Sequence, residues 1–300
     1  MEKSKVYYCD MHTGRMNLPE KLKYLMKKAG FENIDFEDKY AAIKIHFGEP
    51  GNLAYLRPNW AKVVCDYVKE LGGKAFLTDC NTLYVGGRKN ALDHLDSAYT
   101  NGYNPFQTGV HTIIADGLKG TDEALVPVNG EYVKEAKIGQ AIMDADIIIS
   151  LNHFKGHELT GFGGALKNLG MGCGSRAGKM EMHSAGKPQV EQEYCVGCGR
   201  CIGVCPKDAV MAAFDEANDV LNFKIAEYTK AVIQNRPNFH INMVVDVSTF
   251  CECHAENDVA IVPDVGMFVS FDPVAVDKAC ADAVNKQPAV AGSILEKHGH

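Results

Sequence analysis

No apolar run in the sequence reaches the roughly 18 residues that a membrane-spanning helix requires, so no span is expected. The stretch from Met1 to Cys9 lacks the apolar core and cleavage site of a signal peptide, which makes the cytoplasm the expected location. Basic charge is in short supply. Lys and Arg number 31 against 38 Asp and Glu, a net charge of −7. A chain of that sign neutralises phosphates poorly, so nucleic acid is not an expected partner. There is no fixed-period repeat and no low-complexity tract. A hydrophobic content of 46% with 23% charged residues excludes disorder, a collagen-like chain and a coiled coil. At 300 residues the chain can bury a core without disulfides or metal.

Cysteine, by contrast, is plentiful. There are 11: Cys9, Cys65, Cys80, Cys173, Cys195, Cys198, Cys201, Cys205, Cys251, Cys253 and Cys280. The count is odd and no secretory signal accompanies it, which argues against a disulfide framework. Clustered cysteines in a reducing compartment point to metal. Cys65 and Cys280 fall on helical faces and read as core fillers.

Ahead of the main cysteine cluster the hydrophobic pattern alternates between strand and helix. Residues 41–47 form a short β run ending at Gly48. Trp60, Val64, Tyr67, Val68 and Leu71 share one helical face over residues 58–71, with Pro58 in the first turn and Gly72-Gly73 as the stop. Strands are expected at 74–80, 111–116 and 131–139, and helices near 87–97 and 140–145. The apolar run 147–151, bounded by Asp146 and Asn152, reads as a strand buried on both faces, as in a parallel sheet. Gly161, Gly163 and Gly164 open a helix with Ala165, Leu166 and Leu169 on one side. Farther on come a helix near 222–235, a long strand at 239–247, short strands at 259–262 and 267–270, and a helix opened by Asp272-Pro273. Such alternation predicts an α/β fold: a largely parallel sheet with helices on both faces. The pattern breaks at 186–216. The expected organisation is a discontinuous α/β domain, 1–185 and 217–300, interrupted by a small ferredoxin-like 4Fe–4S insert.

The break contains Cys195-Val-Gly-Cys198-Gly-Arg-Cys201-Ile-Gly-Val-Cys205-Pro206, the C-x2-C-x2-C-x3-C-P ligand run of bacterial-type 4Fe–4S ferredoxins. Three thiolates must converge on three corners of one cube, and two-residue gaps wrap the backbone around it. Gly197, Gly199 and Gly203 permit the tight turning. Zinc sites use paired arms and have no need of this run. In two-cluster ferredoxins the fourth cysteine binds the other cluster, which draws on a second copy of the motif. This chain has no second copy. Either Cys205 completes a single cube, or Cys173, Cys251 and Cys253 supply a second cluster together with a ligand such as His254 or His183. Alternate residues of a strand point the same way, so Cys251 and Cys253 would face one side.

The chain resembles the iron–sulfur-containing members of the family called domain of unknown function 362. The resemblance is carried by residues 152–157 (Asn-His-Phe-Lys-Gly-His), the run 161–173 ending at Cys173, the inserted motif, residues 251–254 and residues 269–277. It extends over about residues 40–285. It implies an α/β domain interrupted by a 4Fe–4S insert, and it implies no reaction.

In open α/β sheets ligands bind beyond the carboxyl ends of the strands. His46, residues 79–82, residues 152–157 and residues 246–248 fall there, and Lys44, Lys155 and Lys167 add positive charge. They outline a pocket for a small anionic substrate, with caps and turns as the plainer explanation of each member. His153, Lys155 and His157 are the candidate catalytic residues. Gly161, Gly163 and Gly164 are a candidate cofactor-binding loop, holding an anion at the helix N-terminus, although a close helix–strand contact explains them equally well. Three functions follow. An electron-transfer protein would carry one or two clusters, its acidic surface suiting a basic redox partner protein. An oxidoreductase would bind the anion next to the cluster. In a third reading the cluster only braces the insert. Electron transfer is the leading expectation, and an oxygen-sensitive cluster with little shielding suits an anaerobic setting.

Overall fold

The computed structural model describes residues 3–84, 86–184, 195–204, 210 and 214–298. Eleven strands and eleven α-helices are seen in these residues. The strands are β1 (Tyr7–Cys9), β2 (Tyr40–Lys44), β3 (Lys74–Asp79), β4 (Thr112–Ile114), β5 (Glu123–Pro127), β6 (Glu135–Gly139), β7 (Ile147–His153), β8 (Lys155–His157), β9 (Gly161–Gly163), β10 (Asn238–Val244) and β11 (Gly266–Ser270). The helices are α1 (Leu18–Ala29), α2 (Pro58–Glu70), α3 (Ala91–Thr100), α4 (Pro105–Thr108), α5 (Gln140–Met143), α6 (Ala165–Cys173), α7 (Arg176–His183), α8 (Arg200–Val204), α9 (Asn218–Ile233), α10 (Pro273–Val284) and α11 (Ile294–His298).

Seven strands form one sheet in the order β1-β11-β10-β7-β2-β3-β4. The run from β10 to β4 is parallel; β11 pairs antiparallel with both β10 and β1. Strand alternation sorts the side chains between two cores. Ala41, Ile43, Ile147, Ile149 and Leu151 meet Leu22 of α1 and Val64 of α2 on one face. Ala42 and Ile148 meet Leu169 of α6 and Ile225 of α9 on the other. Every residue of β7 is buried, because helices cover both faces of the sheet there. The α/β fold with a largely parallel sheet is as the sequence pattern predicts.

Local chemistry sets the ends of these elements. Pro58 stands in the first turn of α2, and Gly72 follows the helix at φ +85°, the left-handed position that stops it. Asn17 and Glu20 form a reciprocal cap on α1, a helix the hydrophobic pattern alone did not reveal. Three expectations shift. The helix expected near 87–97 is α3, begun later because Asn90 caps it. The strand expected at 131–139 is β6, paired with β5 in a separate hairpin. Residues 259–262 form no strand: Val262 is buried by side-chain packing, and the run has no ladder partner among the described residues.

The chain order turns at β2. From there β3 and β4 extend one way, whereas β7 and β10 extend the other. The crevice between β2 and β7 is therefore the switch point at which open α/β sheets bind ligands.

Candidate functional site

A cavity of about 370 Å3 lies over this switch point. Its floor comes from the strand ends: Lys44 and His46 at β2, Asp79 and Cys80 at β3. The β3–α3 loop adds Leu83, Tyr84 and Arg88. Lys155 and His157 come from β8, and Lys167, Asn168 and Met171 from α6. Cys251, Cys253 and His254 reach in from the loop after β10, and His183 of α7 and Phe214 close one side. Four separate strand ends thus feed one pocket, which is the placement expected from the sequence for His46, Lys44, Lys155, Lys167 and His157.

The positive charge is more fully spent than the sequence indicates. Lys44 Nζ lies 2.9 Å from Asp79 Oδ1, and both side chains are buried. Burial alone would raise the Asp79 pKa, but Lys44, His94 and His46 together hold it below the usual carboxylate range. Arg88 Nε donates to Glu49 at 2.8 Å, and Lys155 Nζ lies 2.7 Å from Glu252 Oε2. Glu252 is held well down by Lys155, His153 and His46 against the opposing effect of burial. Lys167 has no such carboxylate partner among the described residues. Its Nζ sits 3.5 Å from Cys251 Sγ instead.

Of the three candidate catalytic residues, Lys155 and His157 line the cavity and His153 does not. His153 lies behind the wall, where its ring nitrogens face Glu252 Oε2 at 3.3 Å and the Val245 carbonyl at 2.8 Å. It positions Glu252, and through it Lys155. His157 Nδ1 accepts the backbone N–H groups of Leu159 and Thr160 at 3.1 and 3.2 Å. Burial, then the Lys167 and Lys155 charges, push its pKa down to about 2. The ring is neutral, with its proton on Nε2.

His157, Cys251 and Cys253 offer ligand atoms within 4.8 Å of one another, the one such group of three or more His, Cys, Asp or Glu among the described residues. The neighbouring Cys253 thiol, with the Lys167 and Lys155 charges, pulls Cys251 well below the usual thiol range, and Cys251 in turn pushes Cys253 well above it. Cys173 stands apart from this group. It is buried in the apolar cluster with Leu169 and Met182, where burial pushes its thiol up to about 11. Its carbonyl accepts the Cys80 thiol. Cys65 and Cys280 are core residues.

The helix N-terminus expected to hold an external anion holds one of the chain's own. Asp277 of α10 accepts the N–H groups of Ala165 and Leu166 at 2.7 and 2.9 Å. A Cβ at Gly164 would overlap that carboxylate, so the glycine serves this internal contact. Gly163 and Gly164 still line the cavity; Gly161, at φ +79°, does not. Sequence reasoning missed Asp277, Arg88, Glu49 and Lys179. The partners of Asp277 and of the Arg88–Glu49 pair lie far away in the chain, and Lys179 donates to the nearby Gly172 and Gly174 carbonyls, which no pattern marks; only the Gly86-Gly87 pair beside Arg88 hinted at a close backbone approach.

Of the expected insert, Cys195, Cys198 and Cys201 are described; Cys205 lies outside the described residues, as does most of 186–216. Gly197 and Gly199 adopt φ of +69° and +67°, the tight turning a cube requires. Ile202 packs with Leu83 and Met180, and Cys201 lies against the same cluster. Leu83 also lines the cavity.

Comparison with solved structures finds the same fold. The lactate racemase apoprotein from Thermoanaerobacterium thermosaccharolyticum aligns over 89% of this chain and 55% of its own, at a TM-score of 0.56 and 12% identity. A Thermotoga maritima protein from a structural genomics consortium aligns over 93% and 60%, at 0.51 and 16%. This chain thus spans less than two thirds of either, and at such identities the likeness is one of fold. Comparison with curated proteins finds no match. Residues 41–282 match the family described as domain of unknown function DUF362, and the chain belongs to that family.

Proposed function

We propose that the chain is an iron–sulfur oxidoreductase in which the α/β cavity binds a small anion beside a cluster held by the four-cysteine motif. The observation that carries this reading is Leu83, which lines the cavity on one side and packs with Ile202 and Cys201 on the other. A motif cysteine is therefore about one side chain from the pocket. Cys195, Cys198 and Cys201, with Cys205, would hold the cluster, and the positive φ of Gly197 and Gly199 suits that wrapping. When bound, the cluster supplies single electrons.

The chain's own residues supply the rest. Lys167, free of a carboxylate partner among the described residues, attracts the anion. Neutral His157 offers an N–H. Leu83, Leu159, Met171 and Phe214 keep the pocket apolar around these few polar groups, which strengthens each contact. A mere electron carrier needs no such cavity, and this favours the enzyme over the carrier. The placement of Cys173 in the apolar core favours one cluster over two. The lactate racemase of similar fold acts on a small carboxylate, the ligand class these cations suit.

The test is calorimetric titration of the anaerobic protein with acetate, oxalate and phosphate. At least one should bind, and Lys167→Met should weaken it about tenfold, the loss of one charge-assisted contact of about 1.4 kcal/mol. Binding of none, or equal binding by the variant, would overturn the anion pocket.

A further inference from the structure

We propose that Cys251 and Cys253 are a redox-active dithiol that reduces a small, carboxylate-bearing disulfide bound in the cavity. Their sulfurs lie within 4.8 Å of each other and both residues line the pocket. They are two positions apart in a turn, so their Cα atoms lie within about 7 Å, near the reach of a disulfide. Cys251 Sγ also lies 3.5 Å from the Lys167 ammonium, a setting that favours negative charge on this sulfur and marks it as the attacking one.

The same geometry disfavours a metal ion at this group. The ring of His157 would have to present a lone pair. Its Nδ1 already accepts two backbone N–H groups, and its Nε2 then carries the proton. What it offers is an N–H donor beside two sulfurs, which suits a thiolate and not a cation. Lys167 beside Cys251 adds repulsion to any incoming ion.

The chemistry balances without a further reagent. Cys251 sulfur attacks one sulfur of the bound disulfide, whose S–S bond breaks and releases the first product thiol. Cys253 sulfur then attacks Cys251 sulfur, and the internal disulfide forms as the second product thiol leaves. Two electrons pass from the protein to the substrate, and the two thiol protons of the protein leave with the products. The Lys167 ammonium has three N–H donors, so it can pair with a substrate carboxylate as the disulfide binds while still facing Cys251 Sγ.

The inference shares the cavity of the proposed function but needs no cluster, so the two fail separately: absence of iron overturns the cluster and leaves the dithiol standing, and unreacted thiols overturn the dithiol and leave the cluster standing. The experiment incubates the anaerobic full-length protein with dithiodiglycolate, quenches with acid, alkylates free thiols and maps the peptides by mass. The expected result is loss of two alkylation sites, at Cys251 and Cys253, with dithiothreitol restoring both. Cys253→Ser should stop at a mixed disulfide on Cys251. Lys167→Met should slow the reaction about tenfold with dithiodiglycolate and less with neutral hydroxyethyl disulfide. The proposal is overturned if both thiols of the wild-type protein remain alkylatable, if stoichiometric zinc is bound at them, or if Cys251→Ser halves the iron content.

Discussion

Replacing Gly164 by alanine tests how α6, the helix that carries Lys167 into the cavity, is anchored. Gly164 supplies no side-chain cap to α6. The cap is the Asp277 carboxylate, which accepts the Ala165 and Leu166 N–H groups at 2.7 and 2.9 Å and the Asn242 amide at 2.7 Å. An added Cβ would occupy the carboxylate's position. Asp277 sits on α10 between Val276 and Cys280, both fully buried, so the backbone cannot retreat and the side chain must rotate away. Two buried N–H groups then lose an ionised acceptor. Hydrogen bonds to charged groups contribute about 1.5–3 kcal/mol each, and partial recovery by rearrangement brings the expected loss to about 3 kcal/mol. For a chain of this size that is a fall of about 5 °C in Tm. Gly161→Ala is the comparison. It sits at φ +79° with open space around its Cβ position, so only backbone strain of about 1 kcal/mol applies. Thermal unfolding followed by circular dichroism should rank Gly164→Ala well below Gly161→Ala. Adding Asp277→Ala to Gly164→Ala should cost little more, since the contact is already lost. Equal losses for the two glycines, or full additivity of the pair, would refute the capping argument.

Other expectations follow from the same structure. Lys44→Met strands the buried Asp79 carboxylate, which Arg88 reaches only at 4.0 Å; urea denaturation should show a loss of about 3 kcal/mol, and a loss below about 1 would contradict the pairing. Burial holds His94, His157, His183 and His240 neutral, at about 3, 2, 4 and 3. Their stabilisation is complete above pH 6.5 and falls as pH drops, by up to about 1.4 kcal/mol per histidine per unit, because only the unfolded chain takes up the protons. Asp116 and Asp277, raised by burial to about 6, act oppositely and lose stability as pH rises from about 4 to 6. The histidines outnumber them, so Tm should fall between pH 7 and pH 5; a Tm that holds or rises would count against the neutral histidines.

The fold was legible where local pattern and tertiary demand agree. Residues 147–151 are apolar because β7 is covered on both faces, and Pro58 with Gly72 bracket α2 for reasons of backbone geometry alone. The polar residues after the strands were legible as a group, since the carboxyl ends of parallel strands converge. Their charge states were not. Lys155 is neutralised by Glu252, nearly a hundred residues away, and no periodicity encodes such a pairing. Asp277 was hidden for the same reason: its partner is a helix N-terminus more than a hundred residues earlier. For the glycines before α6 the sequence leaves an external anion and a close internal contact equally open, because it shows the space and not what fills it; the Asp277 carboxylate fills it at Gly164.

The most direct test of the central claim is iron and acid-labile sulfide per chain on anaerobically purified protein, with EPR of the dithionite-reduced form. The account predicts about four of each and a simple S = 1/2 signal from one cube. Absence of iron, or a single zinc ion in its place, would contradict it. About eight irons with a spin-coupled signal would contradict both the single cluster and the free dithiol.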